Sequence, residues 1–289
     1  MLAAYGRQGL TPRDAPPRLD ASGTLVAVPA RPSRIVSLIP SVTELLFALG
    51  LDDRIVGVTI FCSEPRDRVA RTPKVGREKD PDLSRIRALA PDLVLANMEE
   101  NRRDVVDALR AEGVPVWVTF PRTVAEGIEL VRELGALTDS EAAAASLAGP
   151  IEATHARIRA CVEARPRVRV FCPIWRGPYM TVNRDTYVHD MLWTCGGDNV
   201  FAASPVRYPT VTLEDVHAAA PDVILLPDEP YRFRAAHRAD FARLADVPAV
   251  RRGRVDLVDG KLLSWYGPRI AEALERLPAL LSSGAEVGG

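Results

Sequence analysis

Side chains able to grip a small molecule collect at a few points of this 289-residue chain, each just beyond a short run of aliphatic and β-branched residues. In the first half these points are Pro40-Ser41, Phe61-Cys62, Asn97-Met98-Glu99-Glu100-Asn101-Arg102 and Thr119-Phe120-Pro121-Arg122. In the second half they are Trp175-Arg176-Gly177-Pro178-Tyr179, Pro227-Asp228-Glu229-Pro230-Tyr231-Arg232 and Ser264-Trp265-Tyr266-Gly267-Pro268-Arg269. Aromatic residues make up only 6% of the sequence. Their concentration at these points suits a large, flat, partly apolar ligand edged by polar groups. A plainer alternative is that Trp175 and Trp265 only cover the ends of a sheet. The cluster Glu99 to Arg102 also has two readings, as acceptors for ligand amide hydrogens or as a solvated loop capping the next helix.

Other chemistries lack their residues. There is no GxGxxG, no GxxxxGK[ST] and no GxSxG, so phosphate loops and the nucleophile elbow are missing. His155, His189, His217 and His237 all fall in segments with helical patterning, none at a strand end. A converging set of imidazoles and carboxylates for a metal is therefore not expected. Cys62, Cys161, Cys172 and Cys195 form no CxxC pair and read as reduced, mostly buried small residues. No catalytic residue, no metal ligand and no intrinsic cofactor is expected from these patterns.

The elements that must position these points alternate strand and helix, the pattern of an α/β fold on parallel sheets. Arg34 to Ile39 reads as a buried strand that Pro40 stops, and Ser41-Val42-Thr43-Glu44 reads as a capping box opening a helix that Gly50 ends. Strands follow at Ile55 to Ile60, Asp92 to Ala96 and Val114 to Val118, with helices at Leu83 to Leu89, Arg103 to Glu112 and Val124 to Gly135. The second half repeats the order, with a strand at Val168 to Cys172 and a helix at Tyr187 to Cys195. The clearest echo sets ALAPDLVL, residues 88–95, against AAPDVILL, residues 219–226. Two copies of a helix ending at Pro-Asp before a very apolar strand indicate two similar lobes. Between them residues 139–165 are rich in Ala and Glu and read as a long stiff helix, with a kink or break at Gly149-Pro150. The expected organisation is an extension and lead-in strand over 1–30, a first lobe over 31–137, a connecting helix over 138–166 and a second lobe over 167–289.

Composition agrees with an ordinary globular chain, at 47% hydrophobic and 26% charged residues. With 37 basic against 38 acidic residues the net charge is -1, which disfavours nucleic acid as a partner. No apolar run of about 18 residues exists to insert in a membrane. Residues 1–23 contain no apolar stretch of the kind a secretory signal carries, so the sequence as written is expected in the cytoplasm, or outside it if the true start lies upstream.

The segments RIVSLIPSVTELLFALG with RIVGV, DPDLSRIRALAPDLVLA, MLWTCGGDNVFA, VTLEDVHAAAPDVILL and SWYGPRI resemble the helical-backbone class of substrate-binding proteins, in particular its cobalamin receptor branch. The resemblance covers roughly residues 20–281. It implies two Rossmann-like lobes with parallel central sheets joined by one long α-helix, a ligand in the cleft between them, and delivery to an ABC importer permease. The implied ligand is a corrinoid such as cobalamin, with a ferric siderophore, heme or another metal chelate as alternative. In that reading Phe61, Glu99, Asn101, Trp175, Arg176, Tyr179, Tyr231, Arg232 and Trp265 line the ligand. Arg122, Arg176, Arg207 and Arg232 would serve an anionic chelate. Importer docking in this family typically uses one exposed glutamate per lobe. Glu214 occupies that place in the second lobe. The matching first-lobe position is Ser84, a departure for which Glu78 or Asp82 is the nearest acidic substitute. From a different class, a cytoplasmic enzyme that processes a corrinoid or metal chelate would use Glu99 and Glu100 as acid or base, and an intracellular carrier would bind the ligand but dock on another protein.

Overall fold

A computed structural model describes residues 16–282. Within that range the chain forms two compact units, the first made of 16–120 and 132–145, the second of 121–131 and 146–282. The first begins with a hairpin rather than the single lead-in strand expected, β1 (Arg18–Leu19) paired antiparallel with β2 (Leu25–Val26); residues 1–15 of the expected extension lie outside the described residues. Asp20 at the hairpin turn has no exposed side-chain surface. Its carboxylate accepts from Ser22 N, Thr24 N and Val118 N and pairs with Arg110, which fixes the lead-in to the edge of the sheet.

That sheet has four parallel strands, β3 (Ile35–Ser37), β4 (Ile55–Val58), β5 (Leu93–Asn97) and β6 (Val116–Thr119), in the order β4-β3-β5-β6. They are buried on both faces, as the continuous apolar runs require, and pack with Val75, Ile86, Val106 and Leu109. Helix Pro40–Ala48 begins at the proline itself, with Ile39 as N-cap. Proline at the first helical position forfeits no hydrogen bond, so Pro40 opens the helix instead of stopping the strand. The capping box expected at Ser41 does not form, and Ser41 is buried inside the helix.

The second unit carries β7 (Val168–Phe171), β8 (Tyr179–Met180), β9 (Gly197–Asn199), β10 (Thr210–Val211), β11 (Val223–Pro227) and β12 (Val255–Val258). Four of them form a parallel sheet in the order β12-β11-β7-β9, while β8 and β10 pair as a separate antiparallel ribbon. Numbered within each unit, both parallel sheets have the order 2-1-3-4, so the repeat seen in the sequence is a repeat of topology.

The duplicated Ala-Pro-Asp segment has the same job twice. Ala90 and Ala220 turn through the left-handed region at φ 44° and 42°, ending the helix ahead of the third strand. Asp92 N donates to Arg34 O and Asp222 N to Arg169 O, and each aspartate accepts back from the first strand of its sheet, at Arg34 N and Arg169 N. Arg34 and Arg169 then reach the carbonyls left open at the helix end, Leu89 O and Ala219 O, each at 2.6 Å.

Two differences from the expected boundaries concern the helices that follow β6 and precede β7 in the sequence. Residues 121–131 belong to the second unit, because Val124 N at the start of helix Val124–Leu137 donates to Asp190 Oδ2 at 2.7 Å and Gly127 lies against Tyr187 and Ile270. Helix Glu141–Glu163 runs unbroken through Gly149-Pro150, about 35 Å long at 1.5 Å per residue. Proline removes one backbone bond, but the buried side of the helix, Ala144, Ala148, Ile151, Ile158 and Val162, holds it on course.

Candidate functional site

In parallel sheets the residues just past the carboxyl ends of the strands are the ones loops deliver to a ligand. In the first unit, Ile60 and Phe61 follow β4 and Met98 follows β5, with 49%, 51% and 49% of their surfaces exposed. The polar groups beside them are engaged in the fold. Asn101 is buried; its Oδ1 accepts from Asn97 N at 2.8 Å and its Nδ2 donates to Glu78 O and Leu38 O. Asn97 Oδ1 accepts from Glu99 N at 2.8 Å, and Lys79 Nζ donates to Glu99 O. The amide of Asn101, expected to face a ligand, thus closes its own loop. Nor does this cluster cap the next helix: its N-cap is Arg102, with no side-chain capping bond, and Arg102 pairs with Asp104 instead. Cys62 is buried against Thr43 and Thr59, and burial pushes its thiol up, away from reactivity.

The second unit builds a different rim. Beyond β7 the chain turns back at Trp175-Arg176-Gly177-Pro178, with Met180 N donating to Trp175 O and Ile174 N to Met180 O; Gly177 takes φ 78°, a conformation side chains disfavour. Trp175 is 46% exposed, and its ring meets Tyr231 edge to face at 5.5 Å. Tyr231 in turn meets Phe233 at 4.8 Å and His237 at 5.8 Å, and Phe233 is buried, so the exposed rings stand on a packed base. Such pairs contribute roughly 0.5–1.5 kcal/mol each beyond burial.

Asp240, on the short 3-10 helix Ala235–Phe241, organises the polar side of this rim. Arg176 donates to it twice, Nε to Oδ2 at 2.6 Å and Nη2 to Oδ1 at 3.1 Å, and the Tyr179 hydroxyl donates to Oδ2 at 2.7 Å. The bidentate bond to Asp240 holds the guanidinium firmly charged, and the same bond holds the Asp240 carboxyl below its ordinary range. Burial, then the bond to Asp240, raises the Tyr179 phenol. Arg176 is therefore already paired, contrary to its expected role facing an anionic chelate. Arg232 is exposed on the same rim.

Trp265 behaves unlike Trp175. It is 3% exposed, donates Nε1–H to Glu229 Oε1 at 2.5 Å and carries Lys261 Nζ 5.3 Å from its ring. Trp265 is thus buried against the loop that follows β11, whereas Trp175 is left exposed. Glu229 is half-buried; burial raises its pKa, with the indole bond and Lys261 opposing. Gly260 is required here, since a Cβ would sit 2.7 Å from Glu229 O.

The two acidic positions considered for docking differ as well. Glu214 is the second residue of helix Leu213–Ala219, 78% exposed at its side chain and 3.7 Å from Arg243. In the first unit Asp82 caps helix Leu83–Ala88 by accepting from Ser84 N and Arg85 N, which places Ser84 at the position equivalent to Glu214. Glu78 is half-buried, with its backbone carbonyl held by Asn101.

Sequence reading missed Asp240, and it left Ile60, Met98 and Glu229 out of the ligand-lining set, although Met98 and Glu229 stand in the strand-end segments it named and Ile60 adjoins one. Asp240 carries no signal, because its partner Arg176 lies 64 residues away. Among the described residues no group of three or more His, Cys, Asp or Glu is placed to hold a metal ion, and no helix is long and apolar enough to cross a membrane. Cys62, Cys172 and Cys195 are buried and Cys161 is exposed, all of them free.

Two units, each on a four-stranded parallel sheet of the same order, are the fold of a two-lobed α/β binding protein, and the chain belongs to the periplasmic binding protein family, whose model matches residues 35–262. Among its relatives, a vitamin B12-binding protein of Salmonella typhimurium is 32% identical over 193 residues, covering 67% of this chain and 71% of that one. One of Vibrio parahaemolyticus is 28% identical over 242 residues, covering 83% and 86%. The apo structure of the periplasmic heme-binding protein RhuT from Roseiflexus sp. RS-1 superposes with a TM-score of 0.78 at 28% identity, covering 88% and 99%. The expectation of a cytoplasmic protein is overturned by these matches: the family and its relatives are periplasmic binding proteins. The first residues of the sequence were an unsound guide to compartment.

Proposed function

We propose that this chain is a non-enzymatic receptor that binds a corrinoid of the cobalamin type as cargo and hands it to an ABC importer permease. The observation that carries this reading is Trp175, an indole left half in solvent and braced edge to face by Tyr231. Such a surface binds a flat, partly apolar macrocycle. Relatives named for vitamin B12 binding support the choice of ligand. Phe61, with Ile60 and Met98, offers exposed apolar side chains past the strands of the first unit, and Tyr179, Tyr231, Arg176 and Arg232 form the edge of the aromatic rim in the second. Glu99 stays in the proposed set through its position beside Met98. Glu214 is the proposed docking residue of the second unit and Glu78 that of the first. The protein carries no cofactor of its own and catalyses no reaction in this reading.

Heme is the second reading, favoured by the likeness to the Roseiflexus heme-binding structure. For a ferric siderophore, the pairing of Arg176 with Asp240 leaves Arg232 as the exposed arginine of this rim to meet an anionic chelate. Parallel visible difference titrations of the purified protein with cyanocobalamin and with hemin test the choice. Saturable shifts with cyanocobalamin in the nanomolar to micromolar range are expected; saturation by hemin alone assigns the second reading.

A further inference from the structure

The bidentate Arg176–Asp240 pair sits on the exposed aromatic rim, with side chains 40% and 23% exposed. An arginine at a ligand edge ordinarily attracts carboxylates and phosphates. Here its charge is cancelled at 2.6 Å, and the Tyr179 hydroxyl also points at the same carboxylate. At this edge the aromatic face adjoins a partly exposed ion pair that, taken alone, carries no net charge, with Arg232 as a separate exposed cation on the rim.

We infer that Asp240 sets the charge selectivity of this rim: by neutralising Arg176 it favours a planar macrocycle edged with carboxamides over one edged with carboxylates. The inference rests on the reading of the rim as the ligand-binding face. Asp240 is a positioning residue in this scheme, acting through Arg176 and Tyr179. The corrin periphery is mostly primary amides, whereas heme presents two propionates, so the pair discriminates between the two ligand readings above. Removing the carboxylate leaves an uncompensated positive charge at the edge, which attracts an anionic group a few ångströms away.

The test keeps the scaffold constant and changes only charge. Affinities for cyanocobalamin and for its monocarboxylate, made by hydrolysing one amide, are measured by calorimetry on the wild type, Asp240→Asn, Arg176→Gln and the double variant. The wild type is expected to prefer the amide form. Asp240→Asn, which keeps an oxygen to accept from Arg176 and Tyr179, is expected to shift the preference toward the carboxylate by about tenfold, equivalent to about 1.4 kcal/mol. Adding Arg176→Gln abolishes that shift. Arg176→Gln alone leaves Asp240 uncompensated and moves the preference the opposite way, which keeps the test decisive if Asp240→Asn fails to fold. Arg232 is unchanged throughout, so the ratio reports the pair. A wild type that binds cyanocobalamin while Asp240→Asn leaves the ratio within twofold overturns the inference and leaves the functional reading standing. A shift that survives in the double variant also overturns it, since the cause would not be Arg176. A wild type that binds neither probe overturns the functional reading and the inference with it.

Discussion

The two units share a sheet order and a helix-ending device yet present opposite kinds of rim. In the first, the polar residues past the strands are turned inward: Asn97 and Asn101 bond each other's loop, and what is left outside is Ile60, Phe61 and Met98. In the second, aromatic rings stack outward from a buried base and a charge pair is left at their edge. Duplication therefore fixed the scaffold and left the strand ends to diverge, because a buried strand tolerates few substitutions while the loop beyond it answers mainly to its ligand.

The largest effect that would break this comparison concerns the tryptophans. Trp265→Ala removes a buried ring and orphans the Glu229 carboxylate; a stability loss of about 3–5 kcal/mol is expected, read as a fall in melting temperature on the order of 10 °C. If Trp265→Ala melts as the wild type does, the ring is not part of the packed sheet end.

Next come the exposed rings. Trp175→Ala is expected to weaken cyanocobalamin binding by about 2 kcal/mol, roughly 30-fold, with melting unchanged, whereas Phe61→Ala is expected to cost less than half as much. Equal losses would erase the distinction between the two rims.

The shared device can be compared directly. Asp92 accepts from Ser33 N, Ser33 Oγ and Arg34 N, all at 2.8 Å. Asp222 accepts from Arg169 N at 3.3 Å and from Arg252. Asp92→Ala is accordingly expected to cost about 2 kcal/mol and Asp222→Ala about 1 kcal/mol in chemical denaturation. The reverse order would mean that the second unit leans on its copy more heavily.

The smallest effect is a pair of opposite pH slopes within one rim. Burial raises the Glu229 pKa, so the folded state keeps a proton that the unfolded chain has released, and stability falls as pH rises above the ordinary 4.5. Glu229→Gln is expected to gain on the wild type in melting temperature between pH 4 and pH 7. The Arg176 bond lowers the Asp240 pKa, so its contribution is in place above the ordinary 3.8 and is lost as pH falls below that. The wild-type advantage over Asp240→Asn is therefore expected to shrink on acidification. Parallel slopes for the two carboxyls would contradict these assignments.

Much of the scaffold was legible because its signals are local. Pro91-Asp92 and Pro221-Asp222 each announce the third strand within a few residues, and helix Tyr187–Thr194 starts at a Thr186 cap and ends before Gly196-Gly197. Misreadings arose where distant packing decides. Pro150 should break a helix by its own chemistry, and a buried face overrides it. Ser41 looked like a cap, and Pro40 one residue earlier made it an interior residue. The rims were legible as locations but not as arrangements. Trp175 and Trp265 look alike in the sequence, and only the carboxylate of Glu229 under one and the ring of Tyr231 beside the other separate them. Arg176 looked available for an anion until Asp240 closed on it.

The central claim is that the aromatic rim of the second unit binds a corrinoid through Trp175. Calorimetric titration of cyanocobalamin into the wild type and into Trp175→Ala, side by side, tests it most directly. The account expects one-to-one binding by the wild type with a Kd at or below about 1 µM and a clear loss in the variant. No heat of binding by the wild type at about 100 µM ligand, or equal affinities in the two proteins, would contradict it.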